Sequence, residues 1–296
     1  MSYSVLSEAE VEHFITHGYV VVKNCFAREF AQKYVEFAYQ RLGYDPTNPA
    51  TWEKAMVHMP AFHHFKIKEV SPRAWGATCD LLGGEECIKD REQTWGDGFI
   101  VNLRNGADRP WEPPTAETEG WHVDGDHFMH FLDSGEQGLL QVVIWQDIAH
   151  QGGGTFIAPD SIKPVAALLH AHPEGLDPYS ELWAAIAPQC REFVEATGEA
   201  GDVVMLHPLM LHASSQNVSG IPRFMTNPCV PLKDPLNLHR DNLADFSPVE
   251  QGILRALNVE TLDFTPTVER QNVVPERVRI QQQMLEEERK RVEGLR

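Results

Sequence analysis

The stretch Gly201-Asp202-Val203-Val204-Met205-Leu206-His207-Pro208-Leu209-Met210-Leu211-His212 contains two short apolar runs, each preceded by turn-forming residues. Short apolar runs bounded by glycine, aspartate or proline are typical of buried strands. The same form recurs along the chain, so several further strands are expected. They are Tyr19–Val22, Phe99–Leu103, Leu139–Trp145, Arg223–Thr226 and a strand within Gly152–Pro159 that follows a tight glycine turn.

Helical patterns surround these strands. Ser7 and Glu10 form the signature of a capping box, and Gly18 is a suitable helix end. Helical spacing of apolar residues continues over 27–42, residues 51–90 are predicted to be mostly helical, and the charged segment 275–296 is predicted to be a largely solvated helix. Short strands separated by glycine turns, with helices outside them, predict a mainly β fold with flanking helices around a double-stranded β-helix, the jelly-roll core of cupin-like proteins.

The length of the chain is compatible with one domain. It has 296 residues, and no linker rich in glycine, serine or proline divides it. We therefore predict a single domain over 1–296, with a helical N-terminal part over about 1–95, a jelly-roll core over about 96–235 and a C-terminal extension over about 236–296.

The charge of the chain limits its partners. The formal net charge is −18, from 43 acidic and 25 basic residues. Nucleic-acid binding requires a basic surface, which this composition does not provide, and an anionic membrane surface is disfavoured for the same reason. An anionic small substrate remains possible because one buried arginine can outweigh a distant acidic surface.

Cysteine usage and the N-terminus predict a cytoplasmic protein. The five cysteines are scattered and odd in number, which favours neither a zinc motif nor a disulfide framework. No segment has the features of a signal peptide or the length of an apolar membrane span. The oligomeric state is not indicated by the sequence.

The segment Trp121-His122-Val123-Asp124-Gly125-Asp126-His127-Phe128 carries the strongest chemical signal. In an extended chain, side chains two residues apart point to the same side, so His122 and Asp124 present an imidazole and a carboxylate together. A further histidine would complete the 2-His-1-carboxylate triad that is typical of non-heme Fe(II) oxygenases. Asp126 is the alternative carboxylate, and both His207 and His212 are candidates for the third ligand.

The order of these elements resembles the phytanoyl-CoA dioxygenase family of Fe(II)/2-oxoglutarate-dependent oxygenases. The resemblance extends over about 7–226, and the motif over 201–217 is especially similar. It implies that His212, rather than His207, joins His122 and Asp124 as an iron ligand. It also implies that Arg223 binds the distal carboxylate of 2-oxoglutarate and that Ser214 donates a hydrogen bond to the same group. Guanidinium suits this task because it is always charged and binds carboxylates in a bidentate manner.

The resemblance also implies a reaction. A family member binds Fe(II), 2-oxoglutarate and the co-substrate O₂, releases succinate and CO₂, and most often hydroxylates an unactivated C–H bond of a small organic molecule. Asp124 argues against halogenation, since related halogenases leave the carboxylate position vacant for chloride. Desaturation and rearrangement remain open, and the sequence does not indicate the substrate or whether it is a CoA ester.

Three weaker expectations concern the surroundings of the site. Asn102 is a polar residue within an apolar strand, and either 2-oxoglutarate or a structural hydrogen bond can satisfy it. Trp145 is either a cofactor contact or a core residue. The proline-rich segment 104–120 is predicted to be an irregular loop that either shapes the substrate pocket as a lid or has no role.

Two other functions remain as alternatives. The first is a non-catalytic, cupin-like protein that binds a metal or ligand. The second is a metal-dependent enzyme that does not use 2-oxoglutarate, such as a zinc hydrolase, because zinc also accepts two histidines and a carboxylate. Neither alternative gives Arg223 a task.

Overall fold

The computed structural model describes residues 3–90 and 93–294. Within these residues the helices lie mostly before and after the strand-rich part of the chain. Their bounds are α1 Glu8–His17, α2 Arg28–Leu42, α3 Ile67–Val70, α4 Pro72–Leu82, α5 Ile162–Ala171, α6 Pro248–Leu257 and α7 Glu276–Glu293. None of the helices in the described part of the chain combines the length and the apolar character that a bilayer crossing requires.

The strands are short, as the sequence predicts, and every pair of neighbouring strands is antiparallel. Their bounds are β1 Tyr19–Val22, β2 Met56–His58, β3 His64–Lys66, β4 Thr94–Gly96, β5 Ile100–Asn102, β6 Leu139–Ile144, β7 Thr155–Ala158, β8 Val194–Ala196, β9 Val203–Leu206, β10 Leu211–Ser214, β11 Arg223–Thr226 and β12 Cys229–Val230.

Most of the strands form two sheets. The large sheet has the order β1-β9-β6-β11-β5-β2, with β12 paired to β6, and the small sheet has the order β10-β7-β8. The consecutive strands β9 and β10 lie in different sheets, so the chain crosses from one sheet to the other at 207–210. A separate two-stranded sheet is formed by β3 and β4.

The two faces of the large sheet pack against different parts of the protein. Val142, Ile144 and Val204 face the small sheet and pack with Ile157 of β7. The intervening residues, such as Val143, pack against the helices in the larger core. Because side chains alternate along a strand, the position of a residue in β6, β9 or β11 decides whether it faces the space between the sheets or the helical layer.

These observations confirm the mainly β class with flanking helices. The capping box at Ser7 and Glu10 is formed, and α1 ends at Gly18, which adopts the left-handed conformation that glycine tolerates best. The prediction for 51–90 was only partly right. This region contains α3 and α4, but β2 lies there too and joins the edge of the large sheet through Val57 and Val101. The division into three parts near 95 and 235 stays a prediction.

The C-terminal helix is fastened more firmly than its charged sequence suggests. Glu288 of α7 is buried and forms an ion pair with the buried Arg41 of α2, whose Nη2 and Nε lie 2.7 and 2.8 Å from the same Glu288 oxygen. Arg41 also lies 3.3 Å from a carboxylate oxygen of Asp97 and donates to the Asp97 carbonyl at 2.9 Å. The helix is otherwise largely exposed, as predicted, and Glu288 is its one buried residue. A long-range ion pair holds this end of α7 against the core.

Loss of Glu288 should destabilise the fold. Glu288→Ala leaves part of the Arg41 charge without its partner in a buried position, which we expect to lower the free energy of unfolding by about 3 kcal/mol or more. Urea denaturation followed by circular dichroism measures this change. Glu286→Ala, an exposed position on the same helix, is the matched control and should change the value little. Equal stabilities of the two variants would contradict the proposed anchor.

Candidate metal centre

The backbone brings the two candidate histidines directly opposite each other. His122 donates its N–H to the His212 carbonyl at 3.0 Å, and His212 donates to the His122 carbonyl at 2.9 Å. This antiparallel bridge attaches the segment around His122 to β10, which forms the edge of the small sheet. The imidazole centroids consequently lie 4.3 Å apart.

Asp124 completes a compact set of three potential ligands. Its Oδ1 lies 3.4 Å from His122 Nε2, and its Oδ2 lies 3.6 Å from His212 Nε2. One ligand atom from each of the three residues lies within 4.8 Å of the others. Two imidazole nitrogens and one carboxylate at this spacing fit Fe(II) and leave other coordination positions open. Asp124 and His122 lie on the same side, as their spacing in sequence predicts.

Both imidazoles are oriented by their other nitrogen. His122 Nδ1 lies 2.7 Å from the Gly120 carbonyl, and His212 Nδ1 lies 3.1 Å from the Met210 carbonyl. A carbonyl can only accept, so each Nδ1 carries a proton, and Nε2, the nitrogen that faces Asp124, is the one that can coordinate a metal once it has lost its own proton. This arrangement is common around metal-binding histidines because it fixes the tautomer that coordinates.

The surroundings of Asp124 favour the ionised form of its carboxylate. Burial alone raises its pKa, but the charges and hydrogen bonds of His212 and His122 outweigh burial and hold the pKa well below its usual range. Asn227 also donates its side-chain N–H to Asp124 Oδ2 at 2.7 Å. The sequence analysis missed Asn227, which follows β11 directly and has no local motif; only its position just beyond the Arg223 strand could have drawn attention to it.

A cavity of about 620 Å³ opens in front of the three side chains. Its wall includes His58 of β2, Thr155 of β7 and Met225 of β11, so strands of both sheets contribute to it. The cavity is large enough for 2-oxoglutarate and a second small molecule. The site therefore lies between the two sheets, where the inward-facing side chains of β10 and β11 meet.

Arg223 is a buried cation without a partner. Its side chain is 1% exposed, and its Nε and Nη2 make no hydrogen bond within the described residues. It lies on the same face of β11 as Met225, and burial lowers its pKa to about 10. Its charge also contributes, after burial, to a lowered pKa of His58 in the cavity wall. A buried guanidinium with unsatisfied N–H groups requires an anion, and a carboxylate of a bound 2-oxo acid meets that requirement.

Ser214 lies where a ligand of Arg223 could reach it. It follows His212 by two residues on β10, shares its face, and lies opposite Thr155 of β7. It lines the cavity and is exposed there. An exposed hydroxyl is compatible with the role that the sequence analysis expects for it.

The position of Asn102 does not support a contact with the cofactor. Its side-chain amide donates to the Ser215 carbonyl at 3.0 Å, and its side-chain oxygen accepts from the Asn105 N–H at 3.0 Å. Asn102 is fully buried and pairs with Arg223 across β5 and β11. The structural alternative therefore accounts for this residue, because both ends of its amide are used by the backbone.

Trp145 lies on the other side of the large sheet, which corrects its expected contact with the cofactor. Ile144 faces the space between the sheets, so the next residue points into the helical layer. Trp145 packs against Phe26 and Phe99, with ring centroids 5.2 Å away in each case, and its indole N–H donates to Thr226. It is a core residue.

The two alternative ligands lie elsewhere or have other partners. His207 is buried against Phe14 of α1, and its Nε2 lies 3.1 Å from the Val249 carbonyl in α6. Burial lowers its pKa to about 4. Asp126 lines the cavity, but its carboxylate is bound by Arg277 of α7 at 2.6 Å. Neither residue belongs to the set of three ligand atoms that approach one another.

The irregular segment 104–120 does not line the cavity. It contains no helix or strand, as predicted, but none of its residues is part of the cavity wall. Gln216 holds it in place by donating to the Gly106 and Pro110 carbonyls and accepting from the Glu112 N–H. The expectation that this loop shapes the pocket is therefore wrong for this structure, and residues of α7 occupy part of the wall instead.

Together, the antiparallel sheets and the His-Asp-His set define a mainly β protein with a candidate non-heme metal centre between its sheets. The sequence model of the phytanoyl-CoA dioxygenase (PhyH) family matches residues 14–225. The chain belongs to this family, which confirms the resemblance inferred from its motifs. A comparison with curated proteins gives no match.

Several solved structures are similar at low sequence identity. The non-heme alpha ketoglutarate dependent carbocyclase SnoK from nogalamycin biosynthesis is 16% identical, with 93% of this chain and 100% of that chain covered and a TM-score of 0.47. HygX from Streptomyces hygroscopicus, with nickel and 2-oxoglutarate bound, is 12% identical, with 75% and 85% covered and a TM-score of 0.45. EctD from S. alaskensis, with 2-oxoglutarate and 5-hydroxyectoine, is 18% identical, with 78% of each chain covered and a TM-score of 0.39. Similarity at this level says nothing of what this chain binds.

Removal of the Asn227 amide should weaken metal binding. Asn227→Ala deletes the hydrogen bond that orients Asp124, and such outer contacts are typically worth roughly 10–100-fold in metal affinity. Anaerobic competition between the protein and a chromophoric chelator for Fe(II) measures the change. Asn242→Ala, which removes a helix-capping amide remote from the cavity, should leave the affinity as in the unsubstituted protein. An unchanged affinity in Asn227→Ala would show that Asp124 needs no such support.

Proposed function

We propose that the protein is a non-heme Fe(II)- and 2-oxoglutarate-dependent oxygenase that hydroxylates an unactivated C–H bond of a small organic substrate. One observation carries this proposal: the His122, Asp124 and His212 set lies between the same two sheets as Arg223, a buried cation with unsatisfied N–H groups. A metal ligand set accounts for the first feature, and the distal carboxylate of 2-oxoglutarate accounts for the second.

The donor set fits Fe(II). In the proposed site, the Nε2 atoms of His122 and His212 and one oxygen of Asp124 hold the metal, while backbone carbonyls keep the imidazoles in the coordinating tautomer. Asn227 holds the other side of the carboxylate. The bound iron and 2-oxoglutarate supply the oxidising chemistry, in which O₂, 2-oxoglutarate and a C–H bond give succinate, CO₂ and an alcohol.

Arg223 and Ser214 would bind the far end of 2-oxoglutarate. The guanidinium offers paired N–H groups in a plane, which match the two oxygens of a carboxylate, and its burial strengthens the attraction. Ser214 adds a hydroxyl from the facing strand. Because β10 and β11 belong to different sheets, a cofactor held by both residues would span the space between them.

The alternatives account for less of the site. A non-catalytic metal protein or a zinc hydrolase could use His122, Asp124 and His212, but Arg223 would remain a buried charge without an anion. An unpaired buried charge is costly, so a structure retains one where a ligand compensates it. Arg223 therefore favours an enzyme that uses 2-oxoglutarate over both alternatives.

The proposed partner is a small molecule. A cavity between two sheets suits such a ligand better than a macromolecule, and the net charge of −18 disfavours nucleic acid. We place the protein in the cytoplasm because its five cysteines are free, as is usual in a reducing compartment.

Turnover of the co-substrate tests the proposal without knowledge of the substrate. With Fe(II), O₂, 2-oxoglutarate and ascorbate, which supplies the two electrons that the missing substrate would give, the protein should form succinate slowly, and His212→Ala should abolish this turnover because it removes a proposed metal ligand. Chromatographic measurement of succinate records the rate. His207→Ala is the matched control: it lowers stability but should retain turnover per folded molecule. Absence of succinate with the unsubstituted protein, or equal rates in both variants, would contradict the proposal.

A further inference from the structure

The first turns of α7 form part of the cavity wall. Arg277 and Gln281 line the cavity, and they are four residues apart, so they lie on the same face of the helix. This helix begins well beyond residue 225, where the match to the family ends. The wall at this position is therefore a feature of this chain's C-terminal extension and not of the part that defines the family.

Arg277 is held at the cavity by the chain on both sides of it. The preceding segment, 271–273, runs along residues 127–129, which follow Asp124. The Val273 N–H donates to the His127 carbonyl at 2.8 Å, and the Met129 N–H donates to the Gln271 carbonyl at 3.0 Å. At the other end of α7, the buried Glu288 is paired with Arg41. The position of Arg277 is thus fixed by contacts that do not use its own side chain.

The guanidinium of Arg277 has unused hydrogen-bonding capacity. Its Nε and Nη2 donate to the two oxygens of Asp126, the latter at 2.6 Å. Its Nη1 approaches Gln281 Oε1 only at 3.5 Å. Guanidinium carries five N–H groups, so further donors remain, and the side chain is 52% exposed. An oxygen-bearing ligand in the cavity can reach them.

The remaining wall supplies few acceptors for these donors. Within the described residues, the carboxylates that line the cavity are Asp124 and Asp126. Asp124 is directed to the metal site and to Asn227. Burial, followed by the charges of Arg223 and Arg277, lowers the pKa of His58, which makes it a poorer partner for a further cation. A ligand that brings its own negatively charged oxygens would therefore complement this side of the cavity.

We propose that Arg277 is a specificity-determining residue that binds an oxyanion of the substrate, a carboxylate or a phosphate. The oxyanion either shares the guanidinium with Asp126 or takes the place of Asp126. The substrate is accordingly a small organic acid or phosphate ester whose reacting carbon lies towards His122, Asp124 and His212. This proposal rests on the proposed function for the identity of the reaction. The binding of an oxyanion at Arg277 can be tested on its own.

The test uses fluorinated probes of matched shape and different charge. The protein is loaded with Zn(II) and saturating 2-oxoglutarate, so that the proposed Arg223 site is taken, and titrated with 4-fluorobenzoate, 4-fluorophenyl phosphate and the neutral 4-fluorobenzamide. ¹⁹F NMR line broadening gives the affinity of each probe. We expect at least one of the two anions to bind more tightly than the amide, and which of them binds identifies the oxyanion.

Three variants locate the binding. Arg277→Gln should lower the affinity for the anion by about tenfold or more, which is the usual contribution of a hydrogen bond to a charged group. Arg279→Gln changes an exposed arginine of the same helix that pairs with Glu276 outside the cavity wall, and should leave the affinity unchanged. Asp126→Asn should strengthen anion binding, because it removes the competing carboxylate.

Each other outcome overturns the proposal. If neither anion binds more tightly than the amide, or if Arg277→Gln binds them as well as the unsubstituted protein, the Asp126–Arg277 pair only fastens α7. Weaker binding in Asp126→Asn would lead to the same conclusion. Failure of the proposed function is visible separately, as absent binding of 2-oxoglutarate to the metal-loaded protein, and in that case the same titrations with Zn(II) alone still test Arg277.

Discussion

The pair of backbone hydrogen bonds between His122 and His212 is the constraint on which the site depends. These bonds, at 3.0 and 2.9 Å, attach an otherwise irregular segment to the edge of the small sheet. They place two imidazoles opposite each other, and Asp124 then reaches both because it lies two residues further along the chain. The large sheet contributes Arg223 from the other side of the same space. A candidate metal site and the proposed anion site at Arg223 thereby lie between two sheets that pack on each other.

Much of this could be predicted from local sequence. Apolar runs such as Leu139–Trp145 predict strands. The alternation of side chains along an extended segment also placed His122 and Asp124 on one side. The same alternation would also have assigned Trp145 to the helical layer, since its neighbour Ile144 faces the space between the sheets. For Asn102, a polar residue in an apolar strand predicted a buried hydrogen bond, but the sequence alone could not choose between a ligand and the Ser215 carbonyl.

The rest depends on contacts between distant parts of the chain. Asn227 reaches Asp124 across 103 residues, and Arg277 reaches Asp126 across 151. No periodicity or spacing predicts such pairs, because they form only when the end of β11 and the start of α7 pack against the segment that carries Asp124 and Asp126. The same reason explains why the sequence could not decide whether 104–120 shapes the pocket or has no role. That loop is rich in proline and lies next to His122 in sequence, but the C-terminal helix supplies the wall instead. Family membership accounts for the metal site, and the extension gives this cavity its own charge pattern.

The central claim is that the space between the two sheets holds Fe(II) through His122, Asp124 and His212 and 2-oxoglutarate through Arg223. An anaerobic titration of the metal-free protein, first with Fe(II) and then with 2-oxoglutarate, tests it most directly when visible absorbance is recorded. We predict a weak charge-transfer band that appears only when both are present and is missing in Arg223→Leu. Absence of the band in protein that demonstrably binds the metal would contradict the claim, as would a band of equal strength in Arg223→Leu.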